Sequence, residues 1–577
     1  MKGFKREEPK KEKTSTSLSN HQLISIAINK HKIGSFDEAS KYYQQCIDNG
    51  MNSKVLLCNY GALCKQKGEK IKAIKLYQKA INLYPDYPEA YYNYGNLLLV
   101  NKELDQAEIM INKAIDLNPT FAGAHYNLAQ ILIAKKNIFE AKKSLEKVIE
   151  LNQFHIEAYF QLTELLLNLK HEVDAKVLLL KAIKIFPKSA EIHINLGAVL
   201  VKIGELKKAE FFTRKAINLN PNLAIPYKNL CVILKENSNL DEAEITIRKA
   251  IKLDPNYIKA IVLLGTILLE KGNAVEAKKC WLQATKISPQ SDEAIYKISK
   301  QLYYEKNHEL AIQYLKKSNQ NQAKGLLLGC LLSLDKKLDF YNQYDKINSE
   351  KICNAEIGGI IEHANIIYED KLDSHFCNSA IDYIMFDQID EKCFSNEYFN
   401  QLIQYFKDSK NNKRYQAILK SGTQTSGDLF SLDYPFIKAI KKSLEKKILQ
   451  YKQKYQDSKQ GFIENWPKNY KLRSWMVGMK SGGFLEQHNH GYGWITGSFY
   501  LEIPELNTNQ PDSGNIAFSY QGPSYPSKEK DFLLTKRKVN VRDICIFPSS
   551  LFHQTIPFKS TEERICFVFD LTPDDDM

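Results

Sequence analysis

Residues 85–119 read PDYPEAYYNYGNLLLVNKELDQAEIMINKAIDLNP, and this stretch, bounded by two prolines, is one full period of the chain. Prolines return at Pro85, Pro119, Pro187, Pro221, Pro255 and Pro289, in steps of 34 or 68 residues, with Gln153 on the missing beat. Counting units from residue 20, a small residue recurs at the eighth position, as Gly61, Gly95, Ala129, Gly197 and Gly265. The twentieth position is always alanine: Ala39, Ala73, Ala107, Ala141, Ala175, Ala209, Ala243, Ala277 and Ala311. The twenty-seventh is usually alanine as well, as at Ala80, Ala114, Ala182, Ala216, Ala250 and Ala284.

This spacing predicts two antiparallel helices per unit. Small residues at the eighth and twentieth positions let the two backbones approach. Proline cannot continue a helix and ends the second one. A single hairpin cannot bury its apolar face, so the units must stack into a solenoid. Unrelated amphipathic helices would not hold one register through nine alanines. The pattern resembles the tetratricopeptide repeat family, with about nine units over residues 20–318. That resemblance implies a protein or peptide partner held in a concave groove lined by the first helix of each unit. Tyr91, Tyr92, Asn93, His125, Asn127, Tyr159, Asn195 and Asn229 are the groove candidates, although each would serve equally well as a packing position.

With 577 residues the chain is too long for one core, and several domains or an array are expected. Apolar residues make up 44% and charged residues 25%, ordinary values for a globular protein. The net charge of +13 comes mainly from lysines spread along the chain. No arginine-rich face or aromatic-interleaved basic patch accompanies it, so nucleic acid is not the expected partner. Eleven cysteines without a C-x-x-C pair, scattered through apolar stretches, suit reduced core thiols and a cytoplasmic location. No apolar run reaches membrane-spanning length. The first 19 residues lack the apolar segment of a secretory signal and are expected to form a disordered, basic tail.

The repeat register fades after about residue 318. Residues 319–410 are expected to be a helical connector and lead-in, and residues 411–577 a separate β domain. SGTQTSGDLF, residues 421–430, reads as a turn-rich loop. Residues 433–456 carry Ile437, Ile440, Leu444 and Ile448 at helical spacing. The pattern then shortens to strands: LRSWMVGMK, ended by Ser481-Gly482-Gly483, then WITGSFYLEI, SGNIAFSY, FLLTKRKVNV, DICIFP, HQTIPF and RICFVFDL. Many short strands punctuated by Gly, Pro, Ser and Asp point to a sandwich or jelly roll.

Only three histidines fall between residues 376 and 577: His488, His490 and His553. His488 and His490 stand two apart at the mouth of a strand, so their side chains share one side. His553 opens another strand, and a jelly roll can bring the two strand ends together. Three imidazoles suit iron, copper, nickel or zinc and leave coordination positions open. Arg564 follows on the next strand, where a buried guanidinium would need an anion and fits a carboxylate in two-point fashion.

These residues form the run H-x-H, G-x-x-YL-x-I-P, D-x-x-x-FPS-x-L-x-H and ER. It resembles the iron(II)- and 2-oxoglutarate-dependent oxygenases of the double-stranded β-helix fold, and among them a bacterial H-x-H subgroup that follows tetratricopeptide repeats. The resemblance covers roughly residues 415–575. It implies an all-α repeat solenoid followed by a jelly-roll domain with flanking helices. It also implies Fe(2+) held by His488, His490 and His553, with Arg564 on the far carboxylate of 2-oxoglutarate, the cosubstrate used with O2. His490 stands where most of the superfamily has Asp or Glu. Glu486 and Asp543 are therefore candidate replacement carboxylates, and Trp475, Trp494 and Tyr500 are candidates for the pocket wall or the plain core. The expected activity is hydroxylation of a substrate, such as a protein or peptide held by the repeats. The alternatives are a non-catalytic repeat scaffold with an inactive jelly roll, or a metal-dependent hydrolase or isomerase of the related cupin architecture, in which Arg564 would be idle.

Overall fold

A computed structural model describes residues 19–574 apart from 238, 409–412, 415, 417, 426–427, 506–510, 524 and 529–531. The basic tail expected over residues 1–19 lies, but for Ser19, outside the described residues. The chain divides into two compact units, Met1–Ile192 and His193–Met577.

The first unit is a series of helical hairpins, from Asn20–Lys32 and Phe36–Asp48 through Ile156–Asn168 and Glu172–Ile185. The position that turns the first helix into the second adopts a left-handed backbone in each pair, as at Gly34, Gly68, Lys102 (φ 66°), Lys136 (φ 61°) and Lys170 (φ 60°). Glycine adopts that conformation without strain. The second helix ends where the chain turns extended ahead of the proline beat, as at Asn118 (φ −141°, ψ 89°). Asn152 takes nearly the same conformation before Gln153, which explains how the beat survives without proline. There the Asn152 side chain accepts from the Phe154 N–H at 3.0 Å and its carbonyl accepts from the His155 N–H at 3.1 Å, the same side-chain bond that Asn118 makes to Thr120 ahead of a proline. Tyr91, Asn127 and Tyr159 are buried packing residues and not groove surface. Tyr92, Asn93 and His125, and in the second unit Asn195 and Asn229, are half-buried.

The second unit begins with the same hairpins. Gly265 shows why its position must be small. A Cβ there would lie 2.5 Å from Nε1 of the buried Trp281, which donates to the Val262 carbonyl at 3.1 Å. Helices run on past residue 318 as Asn321–Ser333, Lys337–Ser349 and Ala355–Tyr368. The last of these is buried nearly all round, as expected of a helix with apolar residues on every face.

Among the described residues ten strands follow: β1 (Met385–Gln388), β2 (Lys413–Arg414), β3 (Leu419–Thr425), β4 (Tyr470–Leu485), β5 (Ile495–Glu502), β6 (Ile516–Ser519), β7 (Leu534–Arg537), β8 (Asp543–Pro548), β9 (Phe552–Thr555) and β10 (Arg564–Pro573). They form an antiparallel seven-stranded sheet of order β1-β8-β5-β10-β4-β3-β2 and an antiparallel three-stranded sheet of order β7-β6-β9. Side chains of both sheets, such as Phe518 and Phe547 with ring centroids 5.0 Å apart, share one core. The helix Pro435–Lys454 buries Ile437, Ile440, Leu444 and Ile448, the stripe its spacing predicts, against that core.

Two local expectations are corrected. Residues 419–425 are a strand, not a turn-rich loop, because Gly422, Thr423 and Gln424 pair along Met479, Gly478 and Val477 of β4. Backbone pairing carries this strand, which has little apolar alternation to reveal it. The Ser481-Gly482-Gly483 cluster is an irregularity inside β4, not its end. Gly482 takes φ +77° and donates to the Phe558 carbonyl at 2.7 Å, and the register shifts opposite, between Lys420 and Gly422. Among the described residues, no helix is long and apolar enough to cross a membrane. All eleven cysteines are free and most are buried.

Candidate metal centre

His488, His490 and His553 come together. Their ligand atoms lie within 4.8 Å of one another, and among the described residues they are the one such group of His, Cys, Asp or Glu. Backbone pairing sets their positions. His488 donates its N–H to the His553 carbonyl at 3.0 Å and accepts the His553 N–H at 2.9 Å, which ties the loop after β4 to β9. His490 donates its N–H to the Ser549 carbonyl at 3.1 Å. The ring centroids are 4.3 Å apart for His488 and His553, and 5.2 Å apart for the other two pairs.

Each ring is oriented through Nδ1. His488 Nδ1 faces the Glu486 carbonyl at 2.8 Å, and His553 Nδ1 faces the Leu551 carbonyl at 3.3 Å. His490 Nδ1 lies 2.7 Å from Asp570 Oδ1. A carbonyl oxygen can only accept, so Nδ1 of His488 and His553 carries the proton, and the carboxylate of Asp570 fixes His490 in the same tautomer. All three Nε2 lone pairs are then free for one centre. Those of His490 and His488 stand 3.3 Å apart, an arrangement that needs a cation or a proton between them. Burial, and then the neighbouring imidazoles, push His488 down to about 3 and His553 well below the usual histidine range, so both imidazoles are neutral at neutral pH.

Asp570 is the site residue that sequence reasoning missed. It also accepts from the Thr496 hydroxyl at 2.7 Å, and Thr496 in turn meets Ser549 Oγ at 2.8 Å. Its signal was an acidic residue inside the apolar strand RICFVFDL. The two candidate replacement carboxylates do not join the histidines. The Glu486 carboxylate pairs with Lys420 at 3.2 Å. Asp543 accepts from the Asn540 N–H at 2.7 Å and from Gln388 Nε2 at 2.9 Å, closing the turn before β8. Asp570 instead places a carboxylate behind His490, one residue further out than a direct ligand.

Trp475 stacks on His490 at 5.7 Å and 21°, Phe547 meets His553 edge-on and Phe518 lies tilted beside it, so the walls are aromatic. Trp494 is core, its Nε1–H donating to the Phe462 carbonyl. Arg564 is 2% exposed, and among the described residues no carboxylate lies within ion-pair distance of it. Its Nε–H donates to the Gly514 carbonyl at 2.9 Å, and its guanidinium sits 5.2 Å over the Tyr500 ring. The Tyr500 hydroxyl is also buried, with the Arg564 guanidinium as its charged neighbour. Arg564 and Asp570 lie on the same face of β10 by the period of two.

Residues 473–570 match a family described as "Putative 2OG-Fe(II) oxygenase". Residues 76–109 and 110–143 match one tetratricopeptide repeat family, and 56–87, 190–223 and 229–257 match another. No curated protein matches the chain. Solved structures similar to it include YrrB, titled a TPR protein with an unusual peptide-binding site, at 23% identity and a TM-score of 0.24, over 38% of this chain and 96% of that one. A tetratricopeptide repeat protein from Parabacteroides merdae matches at 17% identity and 0.32, over 43% and 98%. PilF of Pseudomonas aeruginosa matches at 20% and 0.31, over 36% and 94%. The chain thus carries tetratricopeptide repeats followed by a C-terminal 2OG-Fe(II) oxygenase-type domain.

Proposed function

We propose that the C-terminal domain is an iron(II)- and 2-oxoglutarate-dependent oxygenase that hydroxylates a protein or peptide presented by the repeats. The observation that carries this reading is the convergence of three Nε2 lone pairs, each ring anchored through Nδ1 to an oxygen acceptor. Neutral imidazoles with open positions beside them suit iron(II). Bound iron(II) with 2-oxoglutarate and dioxygen supplies the oxidising chemistry that converts a C–H bond to C–OH, releasing succinate and carbon dioxide.

The chain's own residues supply the rest. His488, His490 and His553 hold the metal. Asp570 orients His490 and offsets the charge that a third neutral ligand leaves uncompensated. A buried guanidinium with no carboxylate partner among the described residues suits a carboxylate ligand, so Arg564, with the buried Tyr500 hydroxyl beside it, takes the far carboxylate of 2-oxoglutarate. Trp475, Phe547 and Phe518 keep water from the pocket. The absence of a direct carboxylate ligand favours one second reading, a repeat scaffold with an inactive jelly roll.

Anaerobic titration of the purified protein with iron(II) and then 2-oxoglutarate separates the two. The oxygenase reading expects a metal-to-ligand charge-transfer band that His553→Ala and Arg564→Ala both lose, and succinate release on admitting oxygen. Iron retention without the band, or no retention at all, leaves the scaffold.

A further inference from the structure

The run from His488 to Tyr492 has two sides. His488 and His490 turn their rings to the metal centre, while the residues beside them meet a helix. A Cβ on Gly491 would lie 2.8 Å from the Cβ of Glu356, and a Cβ on Gly359 would lie 2.8 Å from Nδ2 of Asn489. Glu356 and Gly359 both belong to the helix Ala355–Tyr368. An extended run presents alternate residues to opposite sides, so what presses on Asn489 and Gly491 also fixes how far the two histidines reach.

Tyr492 leaves the run in a tight turn, in which the Gly493 N–H donates to the His490 carbonyl at 2.7 Å. Its ring meets Tyr296 edge-on, with centroids 6.0 Å apart and planes at 81°. Lys300 Nζ stands 4.8 Å from the centre of the Tyr492 ring and 5.6 Å from that of Tyr296. Tyr296 and Lys300 lie one turn apart on the repeat helix Asp292–Tyr304, and Tyr296 is fully packed. Tyr303, on the same stripe of that helix, donates from its hydroxyl to the Pro523 carbonyl at 3.2 Å. This is a second anchor between the helix and the β domain, and it keeps the first from drifting.

We infer that Tyr492 is a positioning residue of the metal centre, and that Tyr296 and Lys300 of the repeat array form its seat. Tyr492 acts through His490, two residues before it. With the ring held, the turn at Gly493 fixes the backbone that carries the His490 imidazole. The array is then part of the centre and not only a holder of partners, since the pose of one repeat helix reaches a ligand through one side chain. The inference rests on the metal-binding reading of the three histidines for its consequence, and on the order of the loop for its cause.

The test uses the full chain and two readouts. In the metal-free protein, hydrogen exchange followed by mass spectrometry reports the amides of residues 486–494. In that segment the His488 N–H bonds the His553 carbonyl and the His490 N–H the Ser549 carbonyl. Cobalt(II) titration then reports affinity, and its visible d–d bands report the geometry at the three rings. Tyr492→Ala should speed exchange in this segment about tenfold and weaken cobalt(II) binding about tenfold, with altered bands. Tyr492→Phe keeps the ring and should leave both near wild type. Lys300→Met should give the same changes at smaller size, and Lys300→Arg, which also stacks on aromatic rings, should reverse them. Gly265→Ala strains the neighbouring hairpin against Trp281 without touching the loop and should change neither readout.

Unchanged exchange and affinity in folded Tyr492→Ala overturn the inference. Faster exchange with cobalt(II) affinity intact also overturns it, because the loop then needs no seat to hold a metal. So does weaker affinity with unchanged exchange, since Tyr492 would then act by another route. Equal losses in Gly265→Ala make the effect one of general stability and overturn it as well. Where Tyr492→Ala does not fold, the pair Lys300→Met and Lys300→Arg decides on the same readouts. A wild type that binds no cobalt(II) counts against the oxygenase reading alone, and exchange then decides whether Tyr492 holds the loop.

Discussion

His490 donates from Nδ1 to Asp570 across 2.7 Å, and this bond decides which of its nitrogens faces His488 and His553. Outer partners of metal-bound histidines typically control affinity by 10–100-fold. Asp570→Asn should therefore weaken iron(II) or cobalt(II) binding by about that factor without unfolding the domain. Metal titration checks the affinity and circular dichroism the fold. Unchanged metal affinity would remove Asp570 from the centre.

Arg564 separates binding from stability. Its guanidinium is buried with no carboxylate within reach, so an apolar replacement of similar length should cost little. Arg564→Met is expected to unfold at the wild-type temperature or slightly above it. A ligand at a hundred times its Kd stabilises the native state by about 2.7 kcal/mol. In the iron-loaded wild type under argon, 2-oxoglutarate should raise Tm accordingly, and in Arg564→Met it should not.

Two neighbours on the helix Ala355–Tyr368 respond to pH in opposite directions. His363 is fully buried, accepts the Gly522 N–H at Nδ1 and bonds the Pro526 carbonyl through Nε2, and burial pulls it down to about 4. The unfolded chain then binds more protons, so this residue removes stability as pH falls from about 6.5 toward 4. Burial pushes Glu362 up to about 8, with one carboxylate oxygen unpartnered. The folded chain binds more protons here, so stability falls as pH rises from about 4.5 toward 8. Glu362→Gln should raise Tm relative to wild type at pH 8 and change it little near pH 5. Equal shifts at both values would mean that Glu362 does not titrate in this way.

Close helix packing makes Gly265→Ala a sharp probe of the repeats. Its new Cβ would meet the ring of Trp281, which is buried and hydrogen-bonded and has nowhere to move. Overpacking of this kind costs about 1–3 kcal/mol, readable as a lower urea midpoint. An unchanged midpoint would show that the hairpin has slack.

The repeats were legible because one constraint recurs. Ala243 and Ala277 are fully buried for the same reason, and that reason returns every 34 residues. The histidines were legible because imidazole is rare in this half of the chain and the two residues of H-x-H must point the same way. Asp570 was not, since its role depends on β10 lying beside the His490 loop, a contact 80 residues apart in sequence. β3 was hidden for a related reason. Its Ser, Gly and Thr residues have little intrinsic strand preference, and only the neighbouring β4 makes them one.

Gly359 has no room for a side chain. A side chain there would strike the Ser550 carbonyl at 2.5 Å and Asn489, the residue between the two histidines of the H-x-H motif, at 2.8 Å. The helix Ala355–Tyr368 is thus fitted to the very loop that carries His488 and His490. Recombination that moved the β strands to another scaffold without this helix would deliver an exposed apolar face and a loosened centre. A truncation that keeps this packing must therefore begin before Ala355.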